Sequence, residues 1–220
     1  PYTAYLKIAE GCSNGCAFCI IPKLRGRYRS RTMDHLLEEA KSLANSGVKE
    51  LIVIAQDITR YGSDLGDGTT LAGLLKELCK LPFHWIRLHY LYPEAITDEL
   101  VEVIASEKKI VHYLDIPIQH CNDGILKAMR RRNTKVELEE LFARLRKAIP
   151  DVVIRTSLIC GLPGEGEAEF EELCEFLKEQ KLQRAGVFQF SPEEGTLAEK
   201  MENQVDPDVA ARRVELVVDL

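Results

Sequence analysis

The sequence predicts an α/β protein whose parallel strands curve into a partial (β/α)6 barrel of the TIM type. Three observations carry the prediction. Apolar, β-branched runs alternate with amphipathic runs along the whole chain. The amphipathic runs have helical spacing. Polar, glycine-bearing segments recur where the apolar runs end, which is where barrels of this kind place their sites.

The strand candidates, in order, are Ala4–Ala9, Glu50–Gln56, Trp85–Leu91, Val111–Gln119, Val152–Cys160 and Ala185–Phe190. Helices are expected between them. Leu36, Leu37, Ala40, Leu43 and Ala44 form one apolar stripe, and Leu71, Leu74, Leu75 and Leu78 a second. Leu138, Leu141, Phe142 and Leu145 form a third, and Phe170, Leu173, Cys174 and Leu177 a fourth. Asp206 followed by Pro207 reads as an N-cap and first residue of a last helix running to Leu220. Gly62–Gly68 reads as a polar loop. Strand–helix–strand crossovers are right-handed, so six such units curve into about three-quarters of an eight-stranded barrel. Residues 1–220 read as one domain, with no internal repeat and no low-complexity linker.

The 220 residues are 45% hydrophobic and 29% charged, an ordinary globular composition. No apolar run approaches the roughly 20 residues that span a bilayer. No secretory signal opens the chain, so no membrane partner and a cytoplasmic setting are expected. The first residue is Pro1 and the last helix stops without a cap, so the chain reads as trimmed. A net charge of −6 excludes a uniformly nucleic-acid-binding surface. The charge is uneven, however. Lys23, Arg25, Arg27, Arg29 and Arg31 stand together without an acid, as do Lys127, Arg130, Arg131, Arg132 and Lys135. The run Arg25, Arg27, Arg29 and Arg31 suits either an acidic or RNA-bearing partner or a solvated face.

Seven cysteines is an odd number, and thiols kept reduced favour a metal or catalytic role over disulfides. Cys12, Cys16 and Cys19 follow the first strand with three and two residues between them, so one loop can present three thiolates to one metal centre. Structural zinc sites close with a fourth protein ligand, and the nearest histidine downstream is His35. Three cysteines on a four-iron cluster instead leave one iron open. Cys79 and Cys174 lie on apolar helical stripes and read as core thiols. Cys121 and Cys160 lie near strand ends, where packing is the expected role. Period-2 alternation places Arg155, Ser157 and Ile159 on one strand face, expected to look into the barrel. A buried Arg155 needs an anion: a cofactor or substrate carboxylate, or Asp115. Tyr90 and Tyr92 suit either a substrate entrance or the core. His120 reads as a hydrogen-bonded core residue.

The triplet Cys12-x3-Cys16-x2-Cys19, with Phe18 before its last cysteine, resembles the signature of the radical S-adenosylmethionine superfamily. The resemblance implies a 4Fe-4S cluster on Cys12, Cys16 and Cys19 whose open iron chelates S-adenosylmethionine. One-electron cleavage then yields a 5′-deoxyadenosyl radical that abstracts hydrogen from an unactivated carbon. No catalytic residue is expected beyond cluster and cofactor, because the cofactor carries the hard chemistry. Gln56 and Asp57 occupy the place of a contact to the methionine amino group, without the glycines usual there. Ile159, Cys160, Gly161 and Glu165 resemble the segment beside the adenine. Phe18, Gln56, Asp57, Gln119, Arg155, Ile159 and Gly161 are therefore the expected cofactor contacts. Arg25, Arg27, Arg29, Arg31, Tyr90 and Tyr92 are the expected substrate contacts.

Within that superfamily the chain is most similar to the methylthiotransferases, through Gly11–Pro22, Ala55–Tyr61, Asp115–His120 and Gly161–Glu165. One branch modifies an adenosine of tRNA. The other modifies an aspartate of small-subunit ribosomal protein twelve. Leu88–Pro93, Met129–Thr134 and Ser191–Thr196 resemble the second branch. The resemblance implies a ribosomal-protein substrate, possible ribosomal context, an external electron donor and a monomer. It also implies an N-terminal domain with a second 4Fe-4S cluster and a C-terminal β-barrel domain, neither within residues 1–220. The tRNA-modifying branch and a non-catalytic iron–sulfur or zinc protein that binds a partner are the remaining alternatives.

Overall fold

Six strands run parallel in one curved sheet, each after the first entered by a crossover through a helical layer on the outside. The structure is a computed structural model and describes residues 1–220. In chain order the elements are β1 (Thr3–Lys7), β2 (Ala9–Glu10), α1 (Ile21–Arg25), β3 (Arg29–Ser30), α2 (Met33–Asn45) and β4 (Glu50–Ile54). There follow α3 (Leu71–Cys79), β5 (Trp85–Leu88), α4 (Asp98–Ser106), β6 (Ile110–Asp115), α5 (Asp123–Ala128) and α6 (Lys135–Ala148). The chain ends with β7 (Val153–Cys160), α7 (Glu167–Gln180), β8 (Arg184–Gln189) and α8 (Pro207–Val218). The sheet order is β1-β4-β5-β6-β7-β8, with consecutive parallel pairing and β1 and β8 left as edges. This is the expected partial barrel. No helix is long and apolar enough to cross a membrane.

Alternation divides each strand between two environments. Leu6, Leu51, Val53, Ile86, Leu88, Leu114, Ile154 and Leu158 are fully buried on the helix-covered face. The opposite face is polar and linked by hydrogen bonds. Glu50 accepts from Thr3 and Arg87, and Arg87 lies 5.5 Å from the centre of the Tyr113 ring. Tyr5 at 64% and Phe188 at 54% exposure mark the open side between the edge strands. The expected helical stripes are buried, in α3 and α6 completely. Helix starts follow their caps. Thr70, Thr97 and Asn122 each accept from a backbone N–H in the first turn, Thr134 and Glu137 form a capping box, and Asp206 caps α8 ahead of Pro207.

Several strands end earlier than the apolar runs suggest, and three of them show why. The run through Leu91 stops at Leu88 because Tyr90 has φ 66°. The run through Gln119 stops at Asp115, because Pro117 has no N–H for the ladder and Gln119 has φ 72°. Gln119 still bridges Leu158. The first run divides, as β2 turns away to pair antiparallel with β3. Gly161, after β7, has φ +83°, and a Cβ there would lie 2.3 Å from the Ala210 Cβ of α8. Gly161→Ala should therefore cost roughly 2–4 kcal/mol, combining left-handed strain with overpacking. Urea unfolding checks this; an unchanged midpoint would show that α8 is not seated on this turn.

Candidate functional site

The loop between β2 and α1 is held by backbone as much as by side chains. Cys12 N–H donates to Gly26 O at 3.2 Å, and Ala17 N–H donates to Met129 O at 2.9 Å. Ala17 O accepts from Ala198 N–H at 2.9 Å. Gly11 has φ +75°, and a Cβ there would meet Arg27 O at 2.3 Å, so only glycine lets the two chain segments approach this closely. Cys12 and Cys16 are buried, and Cys19 is half-buried.

Asp57 is the principal tether of this loop. Its Oδ2 accepts from Asn14 Nδ2 at 2.9 Å and faces Arg60 Nε at 3.1 Å. Its Oδ1 accepts from Thr59 N–H at 3.0 Å and from the Thr59 hydroxyl. Its backbone oxygen accepts from the Tyr28 hydroxyl at 2.7 Å. This corrects the expected ammonium contact. Asp57 is completely buried and both carboxylate oxygens are occupied, so it caps the strand end and does not line a cavity.

Gln56 does face a cavity. A space of about 320 Å³ is bordered by Cys12, Phe18, Cys19, Gln56, Tyr92 and Gln119, among others. A second, of about 300 Å³, shares Phe18, Tyr90, Pro117 and Gln119 with it and continues past Ser157, Ile159, Phe188 and Phe190. Together they form a groove across the C-terminal ends of β4 to β8. The Gln56 side chain borders the groove, and its Oε1 is buried without a partner in the protein. Tyr90 and Gln119 line both halves, and both hold positive φ without being glycine. Backbone in this rare conformation is concentrated at functional sites.

Cys16 has a different neighbourhood. Arg131 Nη1 and the Tyr92 hydroxyl each lie 3.7 Å from its sulfur. The Arg131 guanidinium stacks 4.4 Å from the Tyr92 ring centre and donates from Nη2 to Pro117 O at 2.7 Å. Arg131 is almost wholly buried with no carboxylate partner, and a thiolate at Cys16 would supply the missing negative charge. Burial, reinforced by the Cys16 sulfur, pushes the Tyr92 hydroxyl far above the usual phenol range, so it remains a donor. Burial also pushes the Cys12 and Cys19 thiols up, so metal loading there releases protons.

Nothing in the arrangement resembles a closed single-ion site: no three His, Cys, Asp or Glu side chains converge on one point. A four-iron cube spreads its ligand sulfurs over separate corners. Three thiols from one loop, beside a groove with an orphaned amide oxygen, fit that group and the amino-acid end of a cofactor on its open corner.

The remaining expected residues divide. Phe18, Ile159, Tyr90 and Tyr92 line the groove. Gly161 does not; its N–H donates to Glu165 Oε1 and its Cα abuts α8. Arg155 donates to Asp115 Oδ1 at 2.8 Å and Ser157 Oγ at 2.7 Å, below the groove lining. Arg25, Arg27 and Arg29 are exposed and bonded to no carboxylate. Arg31 must be removed from that group, since it is bound to Glu39 at 2.6 Å and to Lys7 O. His120 is a core residue as expected. Its Nδ1 accepts from Asn122 N–H, which leaves Nε2 protonated and 3.4 Å from Glu165. Sequence reasoning missed Arg131 as a site residue, because it is one of three consecutive arginines and only burial distinguishes it.

The chain matches the radical SAM superfamily over residues 6–177. It is 52% identical, over its whole length, to a protein of Caldanaerobacter subterraneus subsp. tengcongensis named ribosomal protein uS12 methylthiotransferase RimO, covering 50% of that protein. It is 56% identical over 96% of its length to the protein of the same name from an Anaeromyxobacter species, covering 45% of it. The chain thus spans about half the length of these curated relatives. Among solved structures it resembles the radical S-adenosylmethionine methyltransferase TsrM from Kitasatospora setae, with cobalamin and a [4Fe-4S] cluster bound. The TM-score is 0.70 at 17% identity, over 85% of this chain and 36% of that one. It also resembles the Escherichia coli coproporphyrinogen III oxidase HemN, with TM-score 0.67 at 16% identity, over 99% of this chain and 51% of that one. These distant likenesses concern the fold.

Alanine at Cys12, Cys16 or Cys19 should each remove most iron after anaerobic reconstitution and leave the far-ultraviolet spectrum unchanged. Alanine at Cys79 or Cys174 should leave iron content unchanged, and loss of iron there would show that the ligands are misassigned. Burial raises the Cys79, Cys121 and Cys160 thiols to about 12. At pH 8 these three should resist iodoacetamide in the native protein, while half-buried Cys19 should be labelled without iron and protected with it. Mass spectrometry of tryptic peptides reads both, and rapid labelling of Cys160 would contradict the packed environment of β7.

Proposed function

The chain belongs to the radical SAM superfamily, and from that premise we propose that it is the catalytic core of a methylthiotransferase acting on an aspartate of ribosomal protein uS12. One observation carries the chemical part. Cys12 and Cys19 border the same groove as an unpartnered, buried Gln56 amide oxygen, so metal ligands and a cofactor-reading group meet at one place. The substrate assignment is supported by the 52–56% identity to proteins of that name. It is supported also by the resemblance of Leu88–Pro93, Met129–Thr134 and Ser191–Thr196 to that branch over the tRNA-modifying one.

When bound, the cluster and S-adenosylmethionine supply a carbon radical able to take hydrogen from the substrate. The protein's own residues bind, orient and exclude water. Cys12, Cys16 and Cys19 hold the cluster, and Arg131 and Tyr92 point donors at the Cys16 sulfur, which orients that ligand. Gln56 offers its amide to the cofactor's amino-acid end. Phe18, Gln119 and Ile159 flank its nucleoside, and their largely apolar cover keeps bulk water from a reactive intermediate. Tyr90, which lines both halves of the groove, stands at the substrate end, while Tyr92 stays beside the cluster ligand Cys16. Arg25, Arg27 and Arg29 offer unpaired positive charge beside the cluster loop to a partner bearing acidic groups or RNA, as in a ribosomal context.

The chain's share of its relatives' length fits a central domain. We place outside it an N-terminal domain with a second 4Fe-4S cluster and a C-terminal β-barrel domain, with an external electron donor serving a monomer. Sulfur delivery requires two reactants held within roughly 3–4 Å, and residues 1–220 contain only one cysteine triplet. With dithionite, residues 1–220 should therefore release 5′-deoxyadenosine from S-adenosylmethionine without methylthiolating uS12, whereas the full-length enzyme should do both. Mass spectrometry of uS12 and of isopentenyladenosine-containing tRNA decides. Modification of tRNA alone would move the assignment to the other branch.

A further inference from the structure

Below the groove, the polar interior of the barrel contains a cation with donors to spare, Arg155. Arg155 uses a single terminal nitrogen, Nη1, for both its bonds, to Asp115 Oδ1 and to Ser157 Oγ. Its Nη2 has no hydrogen-bond partner in the protein and is not sealed from solvent, and the side chain is 23% exposed. Ser157 itself lines the groove, so the guanidinium lies directly under the groove floor.

Room for this nitrogen is built into the neighbouring strand. Gly186, on β8, pairs with Ser157 on β7. Its φ is not in the left-handed region, so the backbone does not demand glycine there. A Cβ at position 186 would instead stand 2.7 Å from Arg155 Nη2. Glycine within a strand marks a close approach, and what approaches here is the unpartnered end of a guanidinium.

The other interior charges are placed differently. Arg87 is paired with Glu50 through two nitrogens and stacks on the Tyr113 ring, one layer deeper in the barrel and farther from the groove. Asp115 gives Oδ1 to Arg155, and its Oδ2 stands 4.0 Å from His89 Nδ1. Burial, the largest influence on His89, lowers its pKa, so it brings no fixed charge. A planar guanidinium that has spent one nitrogen still presents further N–H groups in the fork geometry that fits a carboxylate.

We propose that Arg155 is a specificity-determining residue that receives the side-chain carboxylate of the substrate, with Asp115 and Ser157 fixing its orientation and Gly186 keeping its open face clear. This rests on the reading of the protein as a methylthiotransferase of aspartate. The radical must reach a carbon one bond from the carboxylate, so an anchor beneath the groove floor sets which carbon faces the cofactor. It also distinguishes aspartate from its isostere asparagine, whose amide would turn an N–H toward the guanidinium or lose the charge-assisted pair.

The test is competition between uS12 carrying aspartate and uS12 carrying asparagine at the modified position, with full-length enzyme and mass-spectrometric product counts. The ratio of kcat/KM values is read for each variant, so a general loss of activity cancels. Wild type should prefer aspartate by roughly 10- to 100-fold. Arg155→Gln should bring the ratio close to one, and Arg155→Lys should retain part of the preference through charge alone. If Arg155→Gln does not fold, Gly186→Ala serves in its place, because its methyl group displaces the guanidinium without removing it; the same loss of preference is expected. A variant that keeps the wild-type ratio while the KM for S-adenosylmethionine rises would overturn the inference and assign Arg155 to the cofactor carboxylate. A wild-type enzyme that modifies neither form would overturn the parent reading together with it.

Discussion

The top of this barrel depends on one buried carboxylate. Asp57 stands where β4 has ended, completely shielded from solvent, and binds Asn14 of the cysteine loop, Arg60 and Thr59. Its backbone oxygen takes the Tyr28 hydroxyl from the segment that follows the loop. Arg60 in turn reaches Asn14 Oδ1 at 2.8 Å, so loop, strand end and cation form a closed set of bonds. Removing one member of such a set leaves another charged or polar group buried and unpaired, which costs far more than the bond itself. Through Asn14, which lies between Cys12 and Cys16, this set anchors the loop that presents the sulfurs. Loop backbone elsewhere is held by single hydrogen bonds, from Cys12 to Gly26, from Ala17 to Met129 and from Ala198 to Ala17.

The groove lies where the regular ladder stops. β5 and β6 end just before Tyr90 and Gln119, whose positive φ values turn the chain and aim both side chains across the barrel mouth. Gln119 keeps one foot in the sheet: its N–H donates to Ser157 O, and its own carbonyl accepts from Ile159 N–H. The strained residue is therefore braced from β7, which also contributes Ser157 and Ile159 to the groove and Arg155 beneath it. Strain of this kind persists only where the surroundings over-determine it. Here the brace and the binding surface are the same strand.

Much of this was legible in the sequence. Alternating burial of β7, the leucine stripes of α3 and α6, the Asp206–Pro207 start of α8 and the clustering of polar groups at strand ends all follow from spacing. So does the cysteine triplet. What spacing does not carry is which of several like residues turns inward. Arg130, Arg131 and Arg132 are indistinguishable as letters, yet only Arg131 is buried, because the chain turns through φ 55° at Arg130. Gln56 and Asp57 were both reasonable cofactor contacts. Adjacent residues at a strand end point to opposite sides, and the partners that decided the matter, Asn14 and Arg60, come from other segments. The short α1 and α5 were not individually foreseen, since five and six residues leave too few turns for a periodic signal.

On the function proposed above, the three-cysteine loop and the Gln56 groove together hold a cluster with an open iron that binds the cofactor's amino-acid end. Electron–nuclear double resonance on the reduced, reconstituted protein tests it directly, using S-adenosylmethionine labelled with nitrogen-15 at the amino group. The expected result is a change in the cluster's resonance on adding the cofactor and a resolved coupling to the labelled nitrogen. A cluster spectrum indifferent to the cofactor, with no coupling, would contradict it.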